Sequence, residues 1–340
     1  MKTPRRLRDL GCSVGKLPPG PTNTIVDVPG VRVGHCDIRG EPASGSGMPV
    51  NTGVTVIVPG QGNLFQHPLP AAVDVFNGYG KSAGTLQIQE LGQLETPIAL
   101  CSTLNVGRTW DALLSLVLEQ NSQAKSVSPA VFECNDGMLN DIRGRQVREE
   151  HVRQAYTAAS AALPLLGSHE AGSGLRVFNR KGGFGSASRR VPTASLGEVC
   201  VGVASLNNFG GPLRWQGRLL DGQAACPGGS VIVVVALNAP VGPNLLRRLA
   251  RRAFGGLGRM GAGFSHSSGD IAVSFALPDP SGACPERLAW TLPQPDLNLL
   301  FDAVMDATEE SVWDCMLAAE DTHAPGCSAL ALRAEDLLEK

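Results

Sequence analysis

Strand-length apolar runs and helix-period stripes alternate along the chain. Residues 54–58 (VTVIV) form a short β-branched run of the kind buried in a sheet. Residues 71–76, 98–102, 130–133, 199–206 and 271–276 read as further strands. Residues 230–237 (SVIVVVAL) are apolar without alternation, as expected of a strand covered on both faces. Helical spacing appears in residues 106–119, where Trp110, Leu113, Leu114 and Val117 share a face. It recurs in residues 297–316 at Leu297, Leu300, Phe301, Val304, Thr308, Val312 and Cys315, which predicts a long amphipathic helix. The alanine-rich residues 147–166 predict another helix. Residues 243–254 predict a fourth, with a proline near the first turn and Arg247, Arg248, Arg251 and Arg252 on one side.

The remaining segments read as connections. Residues 1–22 look like a loose arm, and residues 23–33 like a hairpin-like start turning at Pro29-Gly30. Residues 172–188 are rich in Gly and Ser but too apolar for a plain linker, and residues 212–229 form a polar, glycine-rich connection. Strands mixed with amphipathic helices throughout predict an α/β layered architecture, with helices covering sheet faces. Periodicity does not choose between parallel and antiparallel pairing.

Composition narrows the function classes. A formal net charge of -2 over 340 residues offers no global field for nucleic acid or an acidic membrane, and neither is expected as a partner. The nine cysteines are widely spaced, odd in number and lack a C-x-x-C pair, which points to free thiols in a reducing compartment and a cytoplasmic location. Arg5, Arg6 and Arg8 are followed by Gly-Pro-rich sequence and not by an apolar h-region, so no signal peptide is expected. The longest apolar run is strand-sized, too short for a membrane span.

Several motifs fail their context. Residues 256–261 spell G-x-G-x-x-G, but a helix precedes and a strand follows, the inverse of the dinucleotide-binding order; a glycine-rich helix exit and turn is the better reading. The six histidines include no i, i+4 pair and no H-E-x-x-H, so neither a zinc centre nor any other metal or cofactor is expected. There is no G-x-S-x-G elbow. His266 lies too close in sequence to Ser268 and Asp270 to form a relay with them, and reads as a polar loop residue. The informative segment is Cys226-Pro227-Gly228-Gly229-Ser230, which runs directly into the apolar strand. Gly-Gly-Ser before a strand is usually only a turn. It also has a chemical use. The Ser230 hydroxyl could attack the Gly229 carbonyl by N-to-O acyl shift, and hydrolysis of the ester would free an α-amine with a pKa of roughly 7.7–8.0, a base near neutral pH.

Nine stretches in order, spanning roughly residues 24–318, resemble the L-aminopeptidase/D-esterase-amidase family, which includes the β-peptidyl aminopeptidases. They are TIVDVPGVRVGHCDI (24–38), NTGVTVIVP (51–59), NGYGKSAG (77–84), LGQLETPIALCSTLNVG (91–107), ECNDGMLNDIR (133–143), KGGFGSASR (181–189), NNFG (207–210), GGSVIVVVALNAP (228–240) and SSGDIAVSFA (267–276). The resemblance implies a four-layer αββα sandwich, like the N-terminal-nucleophile hydrolases but of distinct topology, built from one domain covering 1–340. It implies self-cleavage between Gly229 and Ser230 into 1–229 and 230–340, with the two pieces remaining together and assembling as a homotetramer of such heterodimers. The serine at the cut, Ser230, is then the nucleophile of an aminopeptidase acting on short peptides, amides or esters with a free N-terminal amine. Ser268 and Asp270 match the family's S-G-(D/E) motif, and Asn208 its oxyanion-side asparagine. Glu133 and Asn135 of the ECNDG motif fall on the substrate-binding side, Glu133 as partner of the substrate ammonium.

Each assignment has a plainer alternative: Asp270 as a turn cap, Asn207 in place of Asn208 as the donor, Glu133 paired with Arg143 or a helix end, Ser268 as a small polar loop residue. Residues 169–183 (HEAGSGLRVFNRKGG) follow the family's Gly-Ala-Gly-rich pattern only loosely, and the 208–227 loop has its own sequence; both departures bear on the substrate pocket. The competing activities are a small-molecule amidase or esterase using the same nucleophile, an acyltransferase resembling the ornithine acetyltransferases (whose nucleophile is a threonine), and an uncleaved, non-catalytic relative.

Overall fold

A computed structural model describes residues 5–42, 44–221, 229–277 and 289–338. Two sheets form its centre. The first runs in the order Arg32–Gly40, Val50–Val58, Ile98–Ser102, Ala130–Cys134, the last pair parallel and the others antiparallel. The second runs Gln93–Leu94, Leu69–Gly78, Ser268–Ala276, Gly229–Leu237, Gly197–Asn208, Gly183–Thr193. Its pairs are antiparallel except the central one, where Gly229–Leu237 and Ser268–Ala276 run side by side.

Three apolar layers hold the sheets and helices together. Val231, Val233, Val235 and Leu237 pack against the helices Pro243–Arg259 and Gln294–Ala318, while the alternate residues Ile232, Val234 and Ala236 face the other sheet at Ile57, Leu100 and Phe132. Val54, Val56 and Val131, on the far side of the first sheet, meet the helices Val106–Gln120 and Glu149–Thr157. This gives helix, sheet, sheet, helix: the αββα sandwich. The run SVIVVVAL lacks alternation because both of its faces are cores.

Several local expectations need correction. The loose arm is anchored from residue 6 onward: Arg6 pairs with Asp314 at 2.7 Å, Arg8 with Glu310 at 2.6 Å, and Leu7 is fully buried. The same contacts explain why the polar stripe of the helix Gln294–Ala318 (exposed at Gln294, Asn298 and Asp302) ends before Glu310, from which every residue to Ala318 is buried. Its Glu310 and Asp314 are buried charges, and Arg189, also buried, closes on Glu310 at 2.6 Å. Burial pushes Glu310 up, but the attraction of Arg189 and Arg8 outweighs it and holds the carboxylate below its ordinary range. The alanine-rich helix stops at Thr157, because Ser160 instead exchanges both backbone hydrogen bonds with Val33 of the first sheet. The expected hairpin at residues 23–33 is a short 3-10 turn, Ile25–Asp27, followed by the Pro29-Gly30 turn and the strand from Arg32. The stretch at 172–188 runs into an eleven-residue strand, Gly183–Thr193, that its Gly and Ser content hid. Gly185 explains that composition: a Cβ there would lie 2.0 Å from the Ser311 carbonyl of the long helix. Gly256 and Gly258 belong to a longer helix than expected, which extends through Arg259, and Gly261 lies in the turn that follows. Among the described residues no helix is long and apolar enough to cross a membrane.

Candidate active site

Ser230, buried, is the second residue of the central strand, opposite Asn208 on one side and Gly269 on the other. Strand alternation puts its side chain on the inter-sheet side with Ile232 and Val234. There Ser230 Oγ accepts the Asn135 backbone N–H at 3.3 Å and Asn208 Nδ2 at 3.5 Å. The Asn208 amide is oriented from behind: its Oδ1 accepts the Arg176 N–H at 3.2 Å, which leaves Nδ2 toward the serine. Asn207 faces the opposite way, donating to Ser205 Oγ at 2.9 Å and Gly183 O at 3.2 Å. The strand's two-residue period thus separates the two asparagines and makes Asn208 the one that reaches Ser230.

Gly229 has φ +153°, a backbone region that L side chains rarely adopt; a Cβ there would lie 2.8 Å from the Asn208 carbonyl and 3.0 Å from Phe209 Cα. The flanking Cys226-Pro227-Gly228 lies outside the described residues.

Ser268 and Asp270 are both buried and joined by a 2.6 Å hydrogen bond from Ser268 Oγ to Asp270 Oδ1. Asn77 Nδ2 donates to Asp270 Oδ2 at 2.8 Å and also reaches the Phe264 and Ser265 carbonyls. An irregularity in the pairing with Leu69–Gly78, between Asp270 and Ile271, is what sets Asn77 opposite Asp270. Burial raises the pKa of Asp270, and the bonds from Ser268 and Asn77 pull it back part of the way. Asp270 is therefore not a turn cap. The parallel register places Ser268 beside Gly229 and Asp270 beside Val231, so the pair flanks the Gly229–Ser230 junction along the backbone, whereas Ser230 Oγ points between the sheets.

Glu133 is buried at the end of the first sheet's edge strand. It accepts the Lys81 N–H at 2.8 Å and the Thr103 hydroxyl, not Arg143. Asn135 is exposed; its side chain caps Gly137 N at 3.0 Å, and its contribution to Ser230 is the backbone N–H. Cys134 offers no rival nucleophile: burial raises its pKa well above the ordinary thiol value, and its Sγ donates to the Leu206 carbonyl at 3.3 Å. His266 is an exposed turn residue.

These groups surround a cavity of about 310 Å³ lined by Glu133, Asn135, Asn208, Gly229, Ser230 and Gly269, with Tyr79 and Met138 at its exposed rim and Lys81, Thr103 and Arg176 on its walls. Ser268 and Asp270 stand behind that wall and do not line it.

Sequence reasoning gave no role to Asn77, Thr103, Arg176 or Lys181. Lys181 is fully buried, with Nζ donating to the carbonyls of Gly172 (3.0 Å), Leu175 (2.9 Å) and Gly182 (2.7 Å). Burial pulls its pKa down to about 7, while three carbonyl acceptors match the three donors of an ammonium. The Leu175 carbonyl and the Arg176 N–H are two ends of one peptide unit, so Lys181 secures the group that orients Asn208. A lysine next to two glycines in an otherwise small-residue stretch was the available signal.

A buried serine at the head of the central strand of an αββα sandwich, with two N–H donors on its Oγ and a cavity in front of it, is an arrangement suited to a hydrolase. The chain belongs to peptidase family S58, whose model matches residues 23–328. It is 35% identical to the β-peptidyl aminopeptidase BapA of Sphingosinicella microcystinivorans, over 93% of this chain and 86% of that one. A β-aminopeptidase from Burkholderia sp. superposes with TM-score 0.89 at 36% identity, covering 98% of both chains. The L-aminopeptidase D-Ala-esterase/amidase of Ochrobactrum anthropi superposes with TM-score 0.85 at 32% identity, covering 98% of this chain and 96% of that one. That protein is described as a prototype for the serine aminopeptidases and a new variant among the Ntn hydrolase fold. The chain is thus a hydrolase of the peptidase class, and its fold is the αββα variant.

Proposed function

We propose that the protein is a self-processing serine aminopeptidase whose nucleophile is Ser230. The observation that carries this reading is the placement of Ser230 Oγ between two N–H donors, directly after a glycine whose conformation other residues rarely adopt. In processing, Oγ attacks the Gly229 carbonyl, the C–N bond breaks as the nitrogen takes the hydroxyl proton, and water hydrolyses the resulting ester. Gly229 ends as a carboxylate and Ser230 as a free amine; chains 1–229 and 230–340 stay together because their strands share one sheet, and such pairs assemble as a tetramer.

In turnover, Oγ attacks the carbonyl of the substrate's first residue. The freed α-amine, flanked by Ser268, takes the proton and passes it to the leaving amine, and water then releases the acyl group. Asp270 orients Ser268 through the 2.6 Å bond. Asn208 Nδ2 and the Asn135 N–H stabilise the tetrahedral oxyanion; losing one such donor costs about 10²–10³ in kcat. Glu133 binds the substrate's ammonium, which restricts cleavage to N-terminal residues. The relatives' names cover β-peptidyl, L-amino-acid and D-alanyl ester or amide substrates, all of which this acyl-enzyme chemistry accommodates.

Intact mass under denaturing conditions tests the reading. Wild type should give two fragments joined at Gly229/Ser230, and Ser230→Ala a single chain. Processed wild type should hydrolyse aminoacyl or β-aminoacyl p-nitroanilides but not their N-acetylated forms. A single chain from wild type, or equal rates on the acetylated forms, would overturn it.

A further inference from the structure

The substrate class can be narrowed from a cation the mechanism leaves unused. Arg176 lies in the loosely matching stretch 169–183, in a two-residue pairing with Arg180–Lys181, and is one of the residues lining the cavity that holds Ser230. The neighbouring cations are engaged: Arg180 pairs with Asp336 at 2.9 Å, and Lys181 with its three carbonyls. On the other cavity wall, the Lys81 ammonium folds back onto Tyr79, bonding its carbonyl and lying 4.0 Å from its ring centroid. Among the described residues the Arg176 guanidinium forms no ion pair and no hydrogen bond, and its Nε is buried without a partner. A half-buried arginine in a cavity wall, with guanidinium donors unmatched by protein, is suited to receive an anion, and its planar fork fits a carboxylate.

Its position relative to Ser230 identifies which part of the substrate carries that anion. The two donors on Oγ mark two sides of the nucleophile. The Asn135 N–H belongs to the segment that bears Glu133; the Asn208 amide is held by the Arg176 backbone. A substrate whose ammonium is on Glu133 and whose carbonyl carbon is on Oγ directs its leaving group away from Glu133, toward Arg176. We propose that Arg176 binds a carboxylate on the leaving-group side, so that the preferred substrates are very short peptides with a negative charge one residue beyond the cut: a dipeptide's own C-terminus or an acidic second side chain. This rests on the aminopeptidase reading above. The cavity volume of about 310 Å³, at the small end for ligand pockets, suits a dipeptide spanning the two charges.

The test compares alanyl-alanine, alanyl-alanine amide and alanyl-aspartate amide as substrates of wild type, Arg176→Gln and Arg176→Lys. Wild type should favour alanyl-alanine over its amide by about 10–100-fold in kcat/KM, the range of a charge-assisted pair in a partly buried site. Arg176→Gln should bring the two within about twofold, and Arg176→Lys should keep an intermediate preference. A preference for alanyl-aspartate amide equal to that for alanyl-alanine would mean the site accepts either source of the carboxylate; a preference for one alone locates the anion on that group. Equal rates for all three in wild type, or a preference that Arg176→Gln leaves unchanged, overturns the proposal. If neither these three nor their β-alanyl counterparts are hydrolysed, it is the aminopeptidase reading that fails. Arg176 is then tested by calorimetric titration of alanyl-alanine and its amide into Ser230→Ala, with and without Arg176→Gln. At least tenfold tighter binding of the free acid, abolished by Arg176→Gln, supports the carboxylate site; equal affinities, or no binding, overturn it.

Discussion

Replacing Lys181 by Met removes a buried charge at nearly constant volume and tests whether the peptide between Leu175 and Arg176 controls Asn208. Of the three carbonyls that lose the ammonium, two keep a backbone donor: Gly172 O accepts Leu175 N at 3.2 Å and Leu175 O accepts Gly182 N at 3.1 Å. The stability loss therefore centres on Gly182 O, about 1–3 kcal/mol for a buried acceptor deprived of its donor, partly offset because an ammonium no longer has to be desolvated. The catalytic loss follows a separate path. Without Lys181 the 175–176 peptide can rotate, the 3.2 Å bond to Asn208 Oδ1 loosens, and Nδ2 leaves the serine. Full loss of that donor costs about 10²–10³ in kcat, and a displaced donor costs part of it, on the order of tenfold. Steady-state kinetics on a neutral aminoacyl p-nitroanilide, normalised to processed enzyme by intact mass, should show this fall in kcat with KM within about twofold. Lys181→Met combined with Asn208→Ala should be no slower than Asn208→Ala alone, because both act through one group. A lowered Tm with unchanged kcat, or effects that multiply in the double variant, would refute the coupling and leave Lys181 a packing residue.

Three further outcomes are expected. In the Ser230→Ala background, where the chain stays whole, Gly229→Ala should lower Tm by a few degrees, about 1–3 kcal/mol, since its Cβ would press on Asn208 O and Phe209; an unchanged Tm would mean that the junction does not adopt this conformation. Asn77→Ala removes a bond that lowers the Asp270 pKa, so the acid limb of the kcat/KM profile should move to higher pH, and an unmoved limb would separate Asp270 from catalysis. Glu170 is pushed up to about 8, by burial and then by Asp37. The folded state therefore holds a proton that the unfolded state releases near its ordinary 4.5, so stability should fall as pH rises from about 4.5 to about 8. Glu170→Gln should flatten that part of a Tm-versus-pH series; equal slopes in both proteins would refute the assignment.

Much of the scaffold was legible in order and period. The apolar run before and after Val234 could only be a strand with two covered faces, and the stripe from Leu297 to Cys315 could only be a helix, because both periods follow from backbone geometry. Ser230 stood out through the nine family-like stretches, since Gly-Gly-Ser before a strand is by itself usually only a turn. The segments that misled were those where tertiary contact outweighs local propensity. Residues 158–166 carry helix-forming alanines yet leave the helix to pair Ser160 with Val33, and Gly183–Thr193 is a strand although glycine disfavours one, because the long helix lies against its backbone.

The chain's own pattern thus determined the layers, since these depend on residue type and short-range period, and its family-like stretches marked out Ser230 as the candidate nucleophile. Only the tertiary structure decided which asparagine reaches Ser230, that Asn77 supports Asp270 across an irregular strand pairing, that Glu133 is held by Lys81 N and Thr103, and that the guanidinium of Arg176, a residue of the cavity wall, has no partner among the described residues. Those choices depend on pairing register and on contacts between residues as much as 193 positions apart, as for Asn77 and Asp270, and no local pattern encodes them.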